Sequence, residues 1–366
     1  MAHELESIAP ASTLAWLRFT LAAPAHRQRA LLQHYGSPEA ALCAPHGELA
    51  ALIGNTAAQA IARGPQQRDL EDAQRWLERP DCSLIALGDP QYPALWKQIA
   101  NPPSAFYAQG RVELLNEPCL AIVGSRNATP RGASDAHAFA RAIADAGVVI
   151  ASGLALGIDG AAHRGALEGA ASTIAVIGTG PDRVYPPQHA ELAGEIARLG
   201  CIVSEFAIGT APLERNFPRR NRLISGLARG VLVVEAAQRS GSLGTARAAL
   251  EQDREVLAMP GSIHSPLSKG CHWLIKEGAK LVDCVEDVLQ EIGVCAPADC
   301  APRGAETKDE VLDAMGFAPV TPEHIAHHTG LDAATLAARL SLLEVAGRVR
   351  ALAGGWFQRA ENRVIE

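Results

Sequence analysis

The sequence predicts an α/β protein built on a parallel sheet that helices cover on both faces. The first observation is that six short, continuously apolar runs alternate with helical stretches between residues 80 and 295. The second is that 366 residues are too many for one ordinary domain. The third is that 48% of them are hydrophobic, which supplies a buried core. The six predicted strands are residues 119–123, 148–151, 173–177, 201–203, 231–234 and 256–259.

The first 78 residues contain no strand-like run. They form short amphipathic segments interrupted at Pro24, Gly36, Pro45 and Gly54, where helices readily end. This pattern predicts an N-terminal helical domain over 1–78, SAM-like or of the helix-hairpin-helix kind. It favours a packing or interaction role over contact with a DNA backbone.

A small, proline-containing stretch at 296–305 is typical of a linker between the core (80–295) and a C-terminal module (306–366). The sequence pattern of the module predicts helices at 309–315, 322–328 and 333–346, then a hairpin of 348–351 and 356–359. This order resembles a winged helix, whose third helix usually enters a major groove. Arg339 is the only basic residue of that helix. We therefore expect protein contact or weak duplex binding instead of base-specific readout.

Nothing in the composition indicates secretion or a membrane. The first twenty residues lack a basic start followed by an apolar run, and no stretch of about 18 uncharged apolar residues occurs. The eight cysteines include no CxxC pair, which favours reduced thiols over disulfides or a metal site. A cytoplasmic protein is expected.

The loops that follow the predicted strands indicate where a ligand binds, because open parallel sheets bind ligands at the carboxyl ends of their strands. The first loop begins Gly124-Ser125-Arg126 and leads into Thr129 and Pro130, a favourable N-cap and first helical residue. A phosphate there would meet backbone N–H groups and the Arg126 guanidinium. A second strand is followed by Ser152 and Gly153.

A further loop, at 239–245, carries Ser240, Gly241 and Ser242 before a helix. It predicts a second anion-binding turn on the same rim. Two such turns suit an extended polyanion.

One segment of this net acidic chain is rich in arginine. The formal charge is −7, yet residues 212–230 hold five arginines and one acid, so a basic crevice is expected. Arginines beside an aromatic ring are the combination that single-strand binders use for phosphates and unpaired bases. The alternative is a helix with solvated arginines and a core phenylalanine. The residues concerned are Phe217, Arg219, Arg220, Asn221 and Arg222.

Nucleotide-cofactor motifs are absent from the expected places. The loop after residue 123 does not match GxGxxG, and no GxxxxGK[ST] phosphate loop occurs. No nicotinamide cofactor, nucleotide hydrolysis or metal is expected. Asp159 and His163 are spaced as an acid–base dyad, or as a packing device in which the carboxylate bonds to a partly buried imidazole.

Several long strings resemble the DprA/Smf family of bacterial DNA-processing proteins. They are GSR (124–126), SGLALGIDGAAH (152–163), GTGPDRVYPPQH (178–189), SEF (204–206), NFPRRNRLISGL (216–227), GSLGTA (241–246) and GCHWLIKEGAKLV (270–282). The resemblance is dense over 85–295 and weaker at both ends.

The resemblance implies an extended Rossmann-like core that binds single-stranded DNA, dimerises and loads the RecA recombinase during natural transformation, without an established catalytic activity. It implies that Arg126 and the arginines of NFPRRNR meet phosphates. Leu156 stands where the family often has a basic residue, so one phosphate contact is expected to be missing. Leu274 and Ile275 are expected at the dimer surface, with burial against the sheet as the alternative.

Two other functions remain open. A nucleotide N-glycosidase could use Asp159, Glu205 and Glu235, although the expected PGGxGT loop is absent. A transcription regulator acting through the winged helix is disfavoured by the poor base-reading surface of that module. The residues predicted to bind DNA are Gly124, Ser125, Arg126, Ser152, Gly153, Phe217, Arg219, Arg220, Asn221, Arg222, Ser240, Gly241 and Ser242.

Overall fold

Residues 11–294, 309–316 and 318–359 are described by the computed structural model. They belong to two units, which divide between residues 297 and 298. The predicted linker at 296–305 lies outside the described residues. The proposed boundaries of the helical domain, core and module stay predictions.

Short helices form the N-terminal part of the first unit, as predicted. Capping explains their limits: the Ser12 hydroxyl accepts a hydrogen bond from the N–H of Ala15, and Gly36 ends the second helix with a φ of 75°. Trp16 and Phe19 share one hydrophobic cluster with Phe106 of the sheet, so these helices and the sheet have a continuous core. The helices are α1 (Thr13–Ala22), α2 (Ala25–Tyr35), α3 (Pro38–Cys43), α4 (His46–Ile53), α5 (Asn55–Arg63) and α6 (Gln67–Leu77).

The sheet of the first unit has nine strands, of which the sequence predicted the six central ones. The strands are β1 (Cys82–Ala86), β2 (Ala105–Gly110), β3 (Cys119–Val123), β4 (Val149–Ser152), β5 (Thr173–Val176), β6 (Cys201–Ser204), β7 (Gly230–Val233), β8 (Glu255–Ala258) and β9 (Lys280–Leu281). Their order is β1-β2-β6-β5-β4-β3-β7-β8-β9. Neighbours from β6 to β9 are parallel, whereas β1 and β2 form an antiparallel edge.

Helices connect the parallel strands and cover the sheet. They are α7 (Pro130–Asp145), α8 (Ile158–Glu168), α9 (Ala190–Leu199), α10 (Asn216–Leu227), α11 (Ser242–Leu250), α12 (Lys269–Lys276) and α13 (Val285–Glu291). The chain winds from β3 outward through β4, β5 and β6, then crosses to β7 on the other side of β3. The order therefore reverses between β3 and β7. In a doubly wound sheet this reversal opens a crevice at the carboxyl ends of the two strands.

The second unit is a winged helix, as the sequence predicted. Leu312, Ile325, Leu336, Leu340 and Val349 form its hydrophobic core. Its elements are α14 (Glu310–Met315), α15 (Pro322–Thr329), α16 (Ala333–Val345), β10 (Val349–Leu352) and β11 (Trp356–Arg359).

The cysteines and the helix lengths are as follows in the described residues. Six cysteines fall in the described part of the chain and all six are free, while Cys295 and Cys300 lie outside it. Among the described helices, none combines the length and apolar character needed to cross a bilayer.

Candidate nucleic-acid interface

The crevice between β3 and β7 is organised by Glu235. Its backbone carbonyl accepts a hydrogen bond from the N–H of Ser125 at 2.7 Å. Its carboxylate accepts one from the backbone N–H of Thr129 at 2.9 Å and one from the Thr129 hydroxyl at 2.6 Å. The loop after β3 is therefore fixed to the end of β7.

The start of α8 closes the same loop from the other side. The Ser125 carbonyl accepts a hydrogen bond from the N–H of Ile158 at 3.1 Å. Gly157 precedes that helix with a φ of +76°, and a Cβ on it would lie 2.2 Å from the Ser125 oxygen. Only glycine fits this close approach.

Helix α10 brings the predicted loops together. Its Phe217 contacts Arg126 of the first loop, its Arg220 lies against Gly153 of the second, and its Asn221 amide donates to the Gly241 carbonyl at 3.5 Å. One helix thus contacts all three loops that sequence reasoning assigned to DNA. That convergence could not be read from the sequence, because it depends on where α10 packs.

Arg126 is an exposed cation of the crevice. Its guanidinium carbon lies 5.3 Å from the centre of the half-buried Phe217 ring, in cation–π range. This contact orients the Arg126 side chain while its N–H groups stay available to a phosphate. Leu156, where one phosphate contact was predicted to be missing, is an exposed apolar side chain.

Arg220 lies inside the protein, under the crevice. It is 4% exposed, and its guanidinium donates to the Val176 carbonyl. Burial lowers the pKa of Arg220 to about 10, with nearby Asp159 acting in the opposite direction. A Cβ on Gly153 would lie 2.2 Å from Arg220 Nη1, so Gly153 makes room for the guanidinium. In this conformation Arg220 supplies positive charge beneath the crevice, without an exposed face for direct phosphate contact.

Arg219 and Arg222 share a carboxylate. Arg222 donates to buried Glu205 and to the Asn101 carbonyl, which occupies its guanidinium. Arg219 lies 3.8 Å from the same carboxylate and over the Phe206 ring, with half of its side chain exposed. Of Arg219, Arg220 and Arg222, Arg219 is the most exposed to solvent.

The loop before α11 is exposed at Gly241 and organised by its serines. The Ser240 and Ser242 hydroxyls lie 2.6 Å apart, and Ser240 Oγ also accepts the N–H of Ser242. A Cβ on Gly241 would meet no atom within 4 Å. The surface beside Gly241 is therefore open to a ligand.

Other predicted contacts are occupied by protein atoms. The Ser152 hydroxyl is buried and donates to the Ile122 carbonyl at 2.6 Å. Ser125 Oγ accepts the N–H of Asn127. The Thr129 hydroxyl accepts the N–H of Gly132 at 2.9 Å, which caps α7. Thr129 therefore satisfies one donor in the first turn of α7, and the Arg126 guanidinium is an exposed donor of that loop.

Asp159 and His163 are not bonded to each other. Asp159 accepts the backbone N–H groups of Gly153 and Ala155, and burial raises its pKa despite Arg220 nearby. His163 is fully buried and bonds instead to the Leu154 N–H and the Thr173 hydroxyl. Both residues have packing roles, and the predicted bond between them was wrong.

Tyr185 lies in the crevice although sequence reasoning gave it no role. Its ring centre is 5.6 Å from that of Phe217, and 41% of the residue is exposed. Its loop belongs to the string GTGPDRVYPPQH (178–189), one of those that resemble the DprA/Smf family. Its proximity to Phe217 is a product of the fold.

The two predicted dimer residues differ in exposure. Leu274 is 2% exposed and belongs to the main core, which agrees with the alternative of burial against the sheet. Ile275 is half-buried and lines a groove with Ile263, Trp273 and Leu281. Ile263 and Leu281 are exposed apolar residues.

Known proteins match both parts of the chain. The family model described as DNA recombination-mediator protein A matches residues 83–293, and the DprA winged helix domain matches residues 296–355. Protein Smf of Escherichia coli is 41% identical over 304 residues, which cover 80% of this chain and 81% of Smf.

Two solved structures of DNA processing protein A are similar to this chain. The X-ray structure of DNA processing protein A from Streptococcus pneumoniae is 34% identical with a TM-score of 0.68, over 77% of this chain and 99% of that one. The Helicobacter pylori protein, solved to study its single-stranded DNA binding mode, is 30% identical with a TM-score of 0.53, over 57% and 94%.

Proposed function

The chain belongs to the DNA recombination-mediator protein A family, and we propose that it binds single-stranded DNA in the crevice bordered by α10. The contact between the Arg126 guanidinium and the Phe217 ring carries this proposal. It joins a phosphate-binding cation on the loop after β3 to an aromatic side chain packed on the loop after β5. Both loops lie at the carboxyl ends of parallel strands, where such sheets bind ligands.

Several features of the crevice contribute to binding the phosphate backbone of the DNA. Arg126 and Arg219 are exposed enough to meet phosphates directly. The open backbone around Gly241 offers a second point of approach. Arg220 adds a positive charge underneath, where the low dielectric strengthens its field. The net charge of −7 is thereby compatible with a locally basic site.

The biological role that fits is protection of incoming single strands and loading of the RecA recombinase in natural transformation and recombination, in the bacterial cytoplasm. The family's description as a recombination mediator supports this role. A homodimer is part of the proposal, with the groove around Ile275 as its surface.

No catalytic step is part of the proposal. The three acids considered for a hydrolase all have protein partners. Asp159 accepts two backbone N–H groups, Glu205 pairs with Arg222, and Glu235 holds Thr129. To act as a general base, any of these carboxylates would have to give up its structural contacts.

The test is fluorescence anisotropy of the full chain on single-stranded and duplex DNA of unrelated sequences. We expect tighter binding to single strands, with little sequence dependence. The double variant Arg126→Ala/Arg219→Ala should lose most of that affinity. The matched control Arg141→Ala/Arg198→Ala removes two other exposed arginines and should bind like the unmodified chain. Equal losses in both double variants, or preference for duplex, would contradict the crevice as the site.

The recombinase role needs a separate measurement. The DNA-dependent ATPase of RecA, on single strands coated with single-strand binding protein, should rise when this chain is added. The Arg126→Ala/Arg219→Ala variant should raise it much less. No stimulation by a chain that binds DNA would reject RecA loading and leave DNA binding standing.

A further inference from the structure

Tyr185 is the most accessible aromatic ring of the crevice, and the function proposed above does not use it. It is 41% exposed, whereas its neighbour Phe217 is half-buried. The two ring centres are 5.6 Å apart and their planes are inclined by 35°. Exposed tyrosine rings of this kind place an apolar face in water, which a flat partner would cover favourably.

Phe217 itself has few open sides. A Cβ on Gly178 would lie 2.9 Å from Phe217 Cδ1, so the ring edge packs directly on the backbone of the loop after β5. The Arg126 guanidinium and the Tyr185 ring also lie against it. Phe217 therefore supports two exposed neighbours, one cationic and one aromatic. A ligand that reaches the crevice meets those neighbours first.

The loop that carries Tyr185 is held in place on both sides of it. Before Tyr185, the Thr179 hydroxyl donates to the Arg183 carbonyl at 2.8 Å, and Asp182 accepts the N–H of Gly209 at 2.8 Å. After it, the N–H of His189 donates to the Pro186 carbonyl at 3.0 Å. A ring presented by such a loop loses little conformational freedom on binding.

We propose that Tyr185 is the base-stacking residue of the DNA crevice, a role that rests on the proposed function. Arg126 and Tyr185 touch the same Phe217 ring, so a nucleotide whose phosphate meets Arg126 has its base within reach of Tyr185. Stacking on an aromatic side chain requires a base free of its own neighbours. Duplex bases are already stacked, and Tyr185 thereby selects single strands where Arg126 alone would accept any phosphate chain.

Binding measurements on substituted chains provide the first test. The probes are an oligothymidylate and an abasic oligonucleotide of equal length, which have the same phosphates. Tyr185→Phe should bind both like the unmodified chain. Tyr185→Leu keeps apolar volume but has no aromatic face, and should lose at least about fivefold in affinity for the oligothymidylate only. Val184→Ala, at an equally exposed neighbour in the same loop, is the matched control and should change neither.

Photocross-linking tests the same contact without a substitution. An oligonucleotide with 5-iodouracil at each position in turn is irradiated with the full chain, and the tryptic peptides are sequenced. We expect the cross-link in residues 184–198, which contain Tyr185. A cross-link in residues 216–219 would instead make Phe217 the stacking residue and overturn the inference.

The inference and the proposed function fail in different ways. If the unmodified chain bound no single-stranded DNA, the proposed function would fall. If it bound the oligothymidylate and the abasic strand equally, or if Tyr185→Leu bound like Tyr185→Phe, single-strand binding would stand and the role of Tyr185 would be refuted. The slope of log affinity against log salt adds a check. It should be unchanged in Tyr185→Leu, because no phosphate contact is removed.

Discussion

The Glu235 carboxylate accepts two hydrogen bonds from Thr129, one from its backbone N–H and one from its hydroxyl. It thereby joins the loop that follows β7 to the N-cap of α7. The strand order reverses between β3 and β7, so this contact fixes the two sides of the crevice relative to each other. Arg126 lies three residues before Thr129, and its position depends on the same contact.

Replacing Glu235 with Gln should therefore loosen the crevice. The amide offers one oxygen to two donors, which leaves one of them poorly satisfied. We expect a loss of about 1–3 kcal/mol in the free energy of unfolding, measured in urea, and weaker single-strand binding. Thr129→Ser keeps the hydroxyl and is the control. Equal unfolding midpoints for Glu235→Gln and the unmodified chain would contradict the structural role of this carboxylate.

Arg126→Ala should weaken binding to single strands without affecting folding. Arg126 is exposed and makes no buried contact that the fold requires. Each lost phosphate contact should flatten the plot of log affinity against log salt by about 0.7. Arg141→Ala, at the far end of α7, should leave slope and affinity unchanged. An unaltered slope in a folded Arg126→Ala chain would remove Arg126 from the site.

His163 should make the protein sensitive to acid. The N–H of Leu154 donates to its Nε2 at 3.3 Å, so Nδ1 carries the proton and bonds to the Thr173 hydroxyl at 2.7 Å. That hydroxyl in turn donates to the Ile150 carbonyl at 2.5 Å. A second proton on Nε2 would face the Leu154 N–H, and burial lowers the pKa of His163 to about 3 from an ordinary 6.5.

The sign follows from where the proton binds. Between about pH 6.5 and 3 the unfolded chain takes up a proton that the folded chain excludes, so stability falls as pH falls. The slope should reach up to about 1.4 kcal/mol per pH unit. His163→Gln should unfold with a shallower pH dependence, measured by urea titrations at pH 7 and 5. His264→Gln, at an exposed histidine, is the control. An unchanged slope in His163→Gln would show that His163 is not the group responsible.

The dimer surface can be tested by comparing two adjacent residues. Ile275→Glu places a charge in the half-exposed groove and should give a folded monomer by light scattering. Leu274→Glu buries that charge in the core and should unfold the chain. Leu199→Glu, at an exposed apolar residue on α9, should leave self-association unchanged. A dimer that persists in Ile275→Glu would show that this groove is not the dimer surface.

The winged helix should be dispensable for single-strand binding. The crevice residues all precede residue 261, and they belong to the first of the two units. A chain ending at Val294 should keep single-strand affinity within a few-fold of the full chain. The isolated module should bind duplex weakly at most, because Arg339 of α16 already pairs with Asp309 and Glu310. Single-strand affinity found in the module alone would overturn the crevice assignment.

The central part of the fold could be predicted from the sequence because its signals are local. Strands buried on both faces are continuously apolar, and so the runs for β3 to β8 stand out without knowledge of their neighbours. The edge strands β1 and β2 could not be recognised this way. β2 lies between β1 and β6 and pairs antiparallel with both, so their stability depends on strands distant in the sequence. β9 has only two residues, both exposed, and is too short to be recognised as a strand from its sequence.

The crevice could be predicted only in part. Glycine-rich turns and clustered arginines identify a phosphate-binding region, because these properties belong to residue types at short spacing. They do not determine which arginine faces solvent. Arg126 is exposed, Arg220 is buried beneath the crevice, and Arg222 is paired with Glu205. The difference arises from the face of α10 that packs on the sheet, and burial decides whether a guanidinium can reach a ligand.

The sequence by itself determined the α/β class, the order of the central elements, the winged helix and the family to which the chain belongs. Only the tertiary structure decided that Tyr185, Phe217 and Arg126 meet, since they come from three segments up to 91 positions apart. It also decided that Glu235 holds a loop and that Leu274 belongs to the core. Periodicity and motifs reflect the local structure of each segment, which depends on residues close to it in the sequence. Contacts across a doubly wound sheet depend on strand order, and strand order is a property of the whole chain.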